Sequence, residues 1–410
     1  MGFTILVGAG SFAALYFATG TIGTAGETSS DGNGNVSVEI NQSPTATVSE
    51  IAAQPSATPE LIPIELTEEP EAGEGTPRPT KTPTTVPTIN PPEIAGVLPP
   101  EFEIGAHITG NYERTPLRWM KIAGMTWVKV QIRYNRGDNA DDYGWQVQLL
   151  HENGFKILWG VVGNREDVLQ PGYAEEYAAF VARLAEIGSN GIEIWNEVNL
   201  DREWPTGQID PALYTQFLKT AYQAIKAKNP NTLVISAALA PTGAEGAFGL
   251  DRVWNDDRYY AGLAQAGAAQ YMDCVGAHYN EGIISPTLTS GDPRDNDYPT
   301  RYLQAQTARA YDPFGGQVPV CYTELGYLTP EGFPPLPENF AWAQNVTLAQ
   351  QASWLGTAAL INAQSGKVRL MIIWNLDYTQ YDADPAAGYA IIRPDGSCPA
   401  CDTLGSLRQQ

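Results

Sequence analysis

GIEIWNE (191–197) and PVCYTEL (319–325) decide how this chain folds. Each is a short β-branched, apolar run that ends on a glutamate. Six more runs share that texture: FEIGAHI (102–108), TWVKVQIRY (126–134), FKILWGVV (155–162), TLVISAAL (232–239), DCVGAHY (273–279) and VRLMIIWNL (368–376). Runs this apolar read as strands buried on both faces. Amphipathic stretches separate them. After Asp210-Pro211, the residues Leu213, Tyr214, Phe217, Leu218, Ala221, Tyr222 and Ile225 fall on one helix face, and Asn229-Pro230 ends the segment. Glu175 to Ile187 behaves likewise. Eight strands alternating with seven helices from residue 101 onward predict a (β/α)8 TIM barrel. A doubly wound sheet would show a Gly-rich phosphate turn after an early strand, and there is none. The eighth helix has only Asp402 to Gln410 to draw on.

Working outward, residues 27–100 are rich in Pro, Thr, Ser, Glu and Gly, with 11 acidic residues against two basic ones. Such a segment buries too little apolar surface to offset its ordering entropy and is expected to be a disordered linker. Ahead of it, Thr4 to Ile22 form an uncharged apolar run, expected to be a signal peptide or membrane anchor within residues 1–26. The chain is therefore expected outside the cell or anchored at its surface, with cleavage and retention both open. The barrel domain is placed at 101–410.

The chain has 410 residues and a formal net charge of -22. That charge speaks against nucleic acid as a partner and disfavours highly charged acidic polysaccharides, although a local basic cleft would still accept one. Cys274 and Cys321 lie inside apolar runs and read as buried thiols. Strict strand alternation puts them on opposite faces, so no bond between them is expected. Cys398 and Cys401 form C-P-A-C, which reads either as a local disulfide or as two free thiols. Histidines stand at 107, 151 and 278 without an HxH or HExxH cluster, so no metal or other cofactor is expected.

In a (β/α)8 barrel, chemistry sits where strands end. The ends here carry His107, Arg133, Trp159, Asn196-Glu197, His278-Tyr279, Glu324 and Trp374. Two carboxylates at the ends of strands 4 and 7 face each other across a barrel mouth. Acetal hydrolysis with retention needs such a pair about 5–5.5 Å apart, one as acid and one as nucleophile. Glu193, four residues before Glu197, reads as a deeper structural acid paired with Lys129. His107 is open between sugar contact and packing, and His151 reads as a surface residue.

These motifs resemble those of the clan A glycoside hydrolases. IEIWNEVN (192–199) is similar to that clan's W-N-E-P motif with Val198 in place of proline, CYTELGY (321–327) to its nucleophile strand, and IIWN (372–375) to its strand-8 tryptophan. GYAIIRPDGSCPA (388–400) resembles a stretch found in family 39, the β-xylosidase-like branch. The resemblance spans about residues 101–400. It implies Glu197 as acid/base, Glu324 as nucleophile, and Asn196 as partner of the sugar 2-hydroxyl. It further implies that His278 and Tyr279 orient the carboxylates, that Arg133 holds the nucleophile ionised, and that Trp374 floors the subsite at the cleaved bond. Trp159 and His107 are added as sugar contacts from their strand-end positions. The expectation is a monomeric, retaining hydrolase of β-linked poly- or oligosaccharides; the alternative is a catalytically silent carbohydrate-binding barrel on a cell-surface stalk.

Overall fold

The computed structural model describes residues 92–109, 112, 114–294, 297–378, 380–383 and 385–408. The apolar N-terminal run and the linker up to residue 91 lie outside the described residues. Eight parallel strands follow in chain order: β1 (Glu103–His107), β2 (Trp127–Arg133), β3 (Lys156–Val162), β4 (Gly191–Ile194), β5 (Leu233–Ser236), β6 (Val275–Tyr279), β7 (Val320–Leu325) and β8 (Val368–Ile373). They pair in the order β5-β4-β3-β2-β1-β8-β7-β6. The ends of that order meet through two parallel bridges, Ile235 with Cys274 and Leu239 with Ala277. The Ser236 N–H donates to the Cys274 carbonyl at 3.2 Å. The sheet is thus a nearly closed (β/α)8 barrel, and every expected strand is present.

Helices α1 (Arg114–Ile122), α2 (Gly144–Glu152), α3 (Tyr173–Glu186), α4 (Pro211–Lys228), the short α5 (Glu245–Phe248), α6 (Asp256–Gln265), α7 (Leu303–Tyr311), α8 (Leu348–Ser365) and α9 (Pro399–Ser406) lie between or after the strands. The cap read at Asp210 forms: its carboxylate accepts from the Ala212 and Leu213 amides, with Pro211 in the first turn. Thr347 and Gln350 make a reciprocal capping box at the start of α8. The final helix starts at Pro399, three residues before the expected Asp402. Pro92 to Pro100, compositionally part of the linker, lie along α8 and α9. Leu98 is buried, its N–H donates to the Leu407 carbonyl, and the Glu93 N–H donates to Thr357 Oγ1.

Inside the barrel the lowest layer is apolar: Trp127, Leu158, Leu233, Ile235, Cys274, Cys321, Leu370 and Ile372. Cys274 and Cys321 are joined by a disulfide there, with Cα atoms 5.8 Å apart. That corrects the expectation of two unbonded thiols, and the reason is a β-bulge. Ala277 pairs with Tyr322, but the next residue, His278, pairs with Glu324, which leaves Thr323 as an extra residue in β7. The extra residue lets Cys321 and Glu324, three apart, share the inner face that alternation would divide between them. Cys398 and Cys401 are also bonded, which resolves the C-P-A-C alternatives in favour of the local disulfide.

Candidate active site

Above the apolar floor the barrel interior turns polar. Lys129 of β2 and Glu193 of β4 are both 1 % exposed and stand 2.9 Å apart. Thr323, turned inward by the bulge, donates from its hydroxyl to Glu193 Oε1 at 2.7 Å, and its carbonyl accepts from Lys129 Nζ at 3.2 Å. The Ala238 amide also donates to Glu193 Oε1. Glu193 is therefore the structural acid the sequence suggests, with its lone pairs taken by protein groups. Gly160 of β3 faces this cluster, where a Cβ would meet Lys129 and Glu193 at 3.2 and 3.3 Å. Lys129 also reaches up to Glu324 Oε1 at 3.5 Å. Burial works against its charge, but Glu193 and Glu324 outweigh burial and hold its pKa above that of an ordinary lysine.

Glu197 and Glu324 stand at the mouth, 3 % and 5 % exposed. One nitrogen serves both: His278 Nδ1 lies 3.1 Å from Glu197 Oε1 and 3.8 Å from Glu324 Oε2. Those two contacts cap the oxygen–oxygen separation near the bottom of the range of about 6.5–9.5 Å that an inverting pair needs. Burial of His278, against the pull of Glu324 and with the push of Lys129, holds its pKa below that of a free imidazole. A neutral ring with its Nδ1 proton aimed at a carboxylate suits that position. The backbone at Glu197 is in the left-handed region, φ 40°, as is Trp195, φ 75°. Non-glycine residues occupy it only where surrounding structure enforces it, and such positions cluster at functional sites. Here the Glu197 N–H donates to the Ala238 carbonyl, and the Trp195 indole donates to the Glu203 carbonyl. Arg202, in the loop after β4, donates from Nη2 to Glu197 Oε2.

Trp374 closes one side of the mouth and meets His107 edge-on, with ring centroids 4.6 Å apart. Burial foremost, then Lys129 and His278, hold the His107 pKa well below the usual imidazole value. Asn196 is partly exposed, and its side-chain oxygen has no hydrogen-bond partner among the described residues. The glycine of E-L-G has a steric reason: a Cβ on Gly326 would stand 2.2 Å from the Trp374 carbonyl oxygen.

Glu197, Glu324, Asn196, His278, His107 and Trp374 gather at the barrel mouth. Three expected members do not join them. Trp159 is fully buried on the outer face of β3, its indole donating to Ser189 Oγ at 2.9 Å and its ring edge-on to Tyr143; Gly160 holds the neighbouring inward position. Tyr279 follows inward-facing His278, so it points to the helices, where its hydroxyl donates to the Arg301 carbonyl. Arg133 turns sideways to Glu203 at 3.3 Å instead of to Glu324. The cation beside Glu324 is Lys129, two pleat repeats deeper on the same face of β2. A lysine inside an otherwise apolar run signals an inward, acid-paired position, so Lys129 was within reach of sequence reasoning. Arg202 was not, because nothing in the spacing of a loop arginine says which carboxylate it meets. His151 is at the surface, 2.8 Å from Asn190.

No family model matches the chain, and no curated protein sequence matches it. Solved structures do. The chain is similar to an endo-1,4-beta-mannanase from Rhizomucor miehei, at 13 % identity and a TM-score of 0.49 over 78 % of this chain and 97 % of that one. It is also similar to GH5-4 broad-specificity endoglucanases from Clostridium acetobutylicum and Clostridium longisporum. The first shows 14 % identity and a TM-score of 0.46, over 75 % of this chain and 97 % of that one. The second shows 11 % identity and a TM-score of 0.48, over 75 % and 96 %. The two endoglucanases are of family 5, not of the family 39 branch that residues 388–400 resemble.

Proposed function

We propose that the chain is a retaining glycoside hydrolase acting on β-linked oligo- or polysaccharides, with Glu324 as nucleophile and Glu197 as acid/base. The observation that supports it best is the single imidazole nitrogen shared by the two carboxylates. In the first step a Glu324 oxygen bonds to the anomeric carbon as Glu197 protonates the departing oxygen. In the second, Glu197 takes a proton from water as the water displaces Glu324. Lys129 beneath Glu324 gives the proposed nucleophile a cationic partner at 3.5 Å. Asn196, with its free oxygen, suits the sugar 2-hydroxyl, and Trp374 suits a sugar face. The apolar run at Thr4 to Ile22 supports export or surface anchoring.

A second reading, a binding barrel without turnover, draws on one contact: while Arg202 is paired with Glu197, that carboxylate has no proton to donate. Turnover of aryl β-glycosides separates the two readings. The stereochemistry of the first product, followed by proton NMR in the opening minutes of reaction, tests the mechanism. Retention is expected; an inverted product would exclude Glu324 as nucleophile.

A further inference from the structure

Beside Glu197 lies a cavity of about 280 Å³ whose walls include Arg133, Arg165, Arg202, Glu203, Asn135 and Asn164. Three guanidiniums at one cavity are conspicuous in a chain with a net charge of -22 and only 24 lysines and arginines. Glu203 is the one acid among the described residues that line it. Arg133 and Arg165 are 43 % and 41 % exposed. Arg133 makes one long hydrogen bond, 3.3 Å, to Glu203. Arg165 donates to Glu166, which is 74 % exposed, and to the Asp201 carbonyl. Arg202 donates to Glu197. Glu166 and Glu197 pair with Arg165 and Arg202 from outside the lining, so among the described residues three guanidiniums line the cavity against one carboxylate, Glu203.

We propose that this cavity is a subsite for an anionic sugar residue, one bearing a carboxylate or a sulfate ester, on the glycan cut between Glu197 and Glu324. The proposal rests on the hydrolase reading and narrows its substrate class. Guanidinium groups present paired N–H donors that match the oxygens of a carboxylate or sulfate. The acidic remainder of the protein does not forbid such a ligand, because charges beyond about 8 Å are largely screened at physiological salt while direct contacts inside the cavity are screened only in part. A cavity of this size, lined by polar groups and opening to solvent, suits one sugar ring rather than a chain.

Arg202 links the subsite to the chemistry. It lines the cavity and holds Glu197, and it cannot keep that ion pair while Glu197 carries the proton the first step needs. An anion in the cavity offers the guanidinium another partner and frees Glu197. Arg202 is in this sense a positioning residue, and an anionic sugar both binds and readies the acid.

The test separates binding from turnover. Titration calorimetry on the Glu324→Gln protein would compare methyl β-D-glucuronide, methyl β-D-glucoside 6-sulfate and methyl β-D-glucoside at low and high salt. At least one anionic glycoside is expected to bind about tenfold or more tightly than the neutral one, with salt weakening the preference. The tighter of the two identifies carboxylate or sulfate as the recognised group. Arg133→Gln and Arg165→Gln, with unchanged circular dichroism, should each reduce the preference. Equal binding of all three, no binding, or a preference that survives both substitutions overturns the proposal. Because no turnover is measured, failure of the hydrolase reading would show separately, in the product NMR of the wild type.

Discussion

At the scale of single residues, Glu197 and Glu324 are chemically identical, and the proposed mechanism divides the work between them by their surroundings. Lys129 lies under Glu324, whereas Glu197 meets His278 and Arg202 from the loop after β4. Glu324→Ala, given an activated aryl β-glycoside and azide, should therefore yield the α-glycosyl azide. Glu197→Ala should still form the glycosyl-enzyme and yield the β-azide, losing most activity with poor leaving groups. Product NMR distinguishes the two anomers, and the same anomer from both variants would refute the assignment. His107 makes a prediction about pH. It is buried with its pKa well below that of a free imidazole, so below about pH 6.5 the unfolded chain binds a proton that the folded chain does not. Stability must then fall as pH drops from that value toward the folded pKa, by about 1.4 kcal/mol per pH unit from this group. His107→Phe keeps a ring against Trp374 and should flatten the slope by roughly that amount between about pH 6.5 and 5. Denaturant midpoints across that range measure it; an unchanged slope would mean the ring is charged in the folded protein.

At the scale of elements, the bulge in β7 matters most. By inserting Thr323 it turns both Thr323 and Glu324 inward, so one strand supplies a ligand to Glu193 and the residue facing Glu197. It also aligns Cys321 with Cys274, and the bond that results closes a loop with a sequence separation of 47. Replacing both cysteines by alanine removes that constraint on the unfolded chain and should cost roughly 2–4 kcal/mol in equilibrium denaturation. Peptide mapping without reductant should recover the two segments as one linked species. Separate peptides would return β7 to unbroken alternation and take Glu324 off the inner face.

For the whole molecule, the boundary between linker and barrel carries an energetic signature. Composition assigns the chain up to residue 100 to the linker, yet Leu98 is buried and Glu93 bonds to Thr357 and Trp354 on α8. A protein beginning at Pro92 should be stable, whereas one beginning at Glu101 should lose about 2–3 kcal/mol, chiefly the burial of Leu98. Thermal unfolding of the two compares them directly, and equal midpoints would show that the segment's contacts contribute nothing. Limited proteolysis should accordingly stop before Pro92 and not within 92–100.

The eight-strand barrel and the position of both glutamates at strand ends were written in the sequence, because parallel strands buried on both faces are continuous apolar runs and helix caps are local signals. Glu193 with Lys129 was readable for the same reason: charges inside apolar runs must meet each other. Only the tertiary structure decided which side chains face the barrel axis past a bulge, since alternation is a rule about unbroken strands and one inserted residue reverses it for everything beyond. That is why the disulfide at Cys274 and Cys321 was not foreseen. It also decided that Arg133 bonds to Glu203, that Tyr279 and Trp159 face the helices, and that Arg202 meets Glu197. Long side chains and loops reach partners set by distance in space, and no spacing along the chain records that distance.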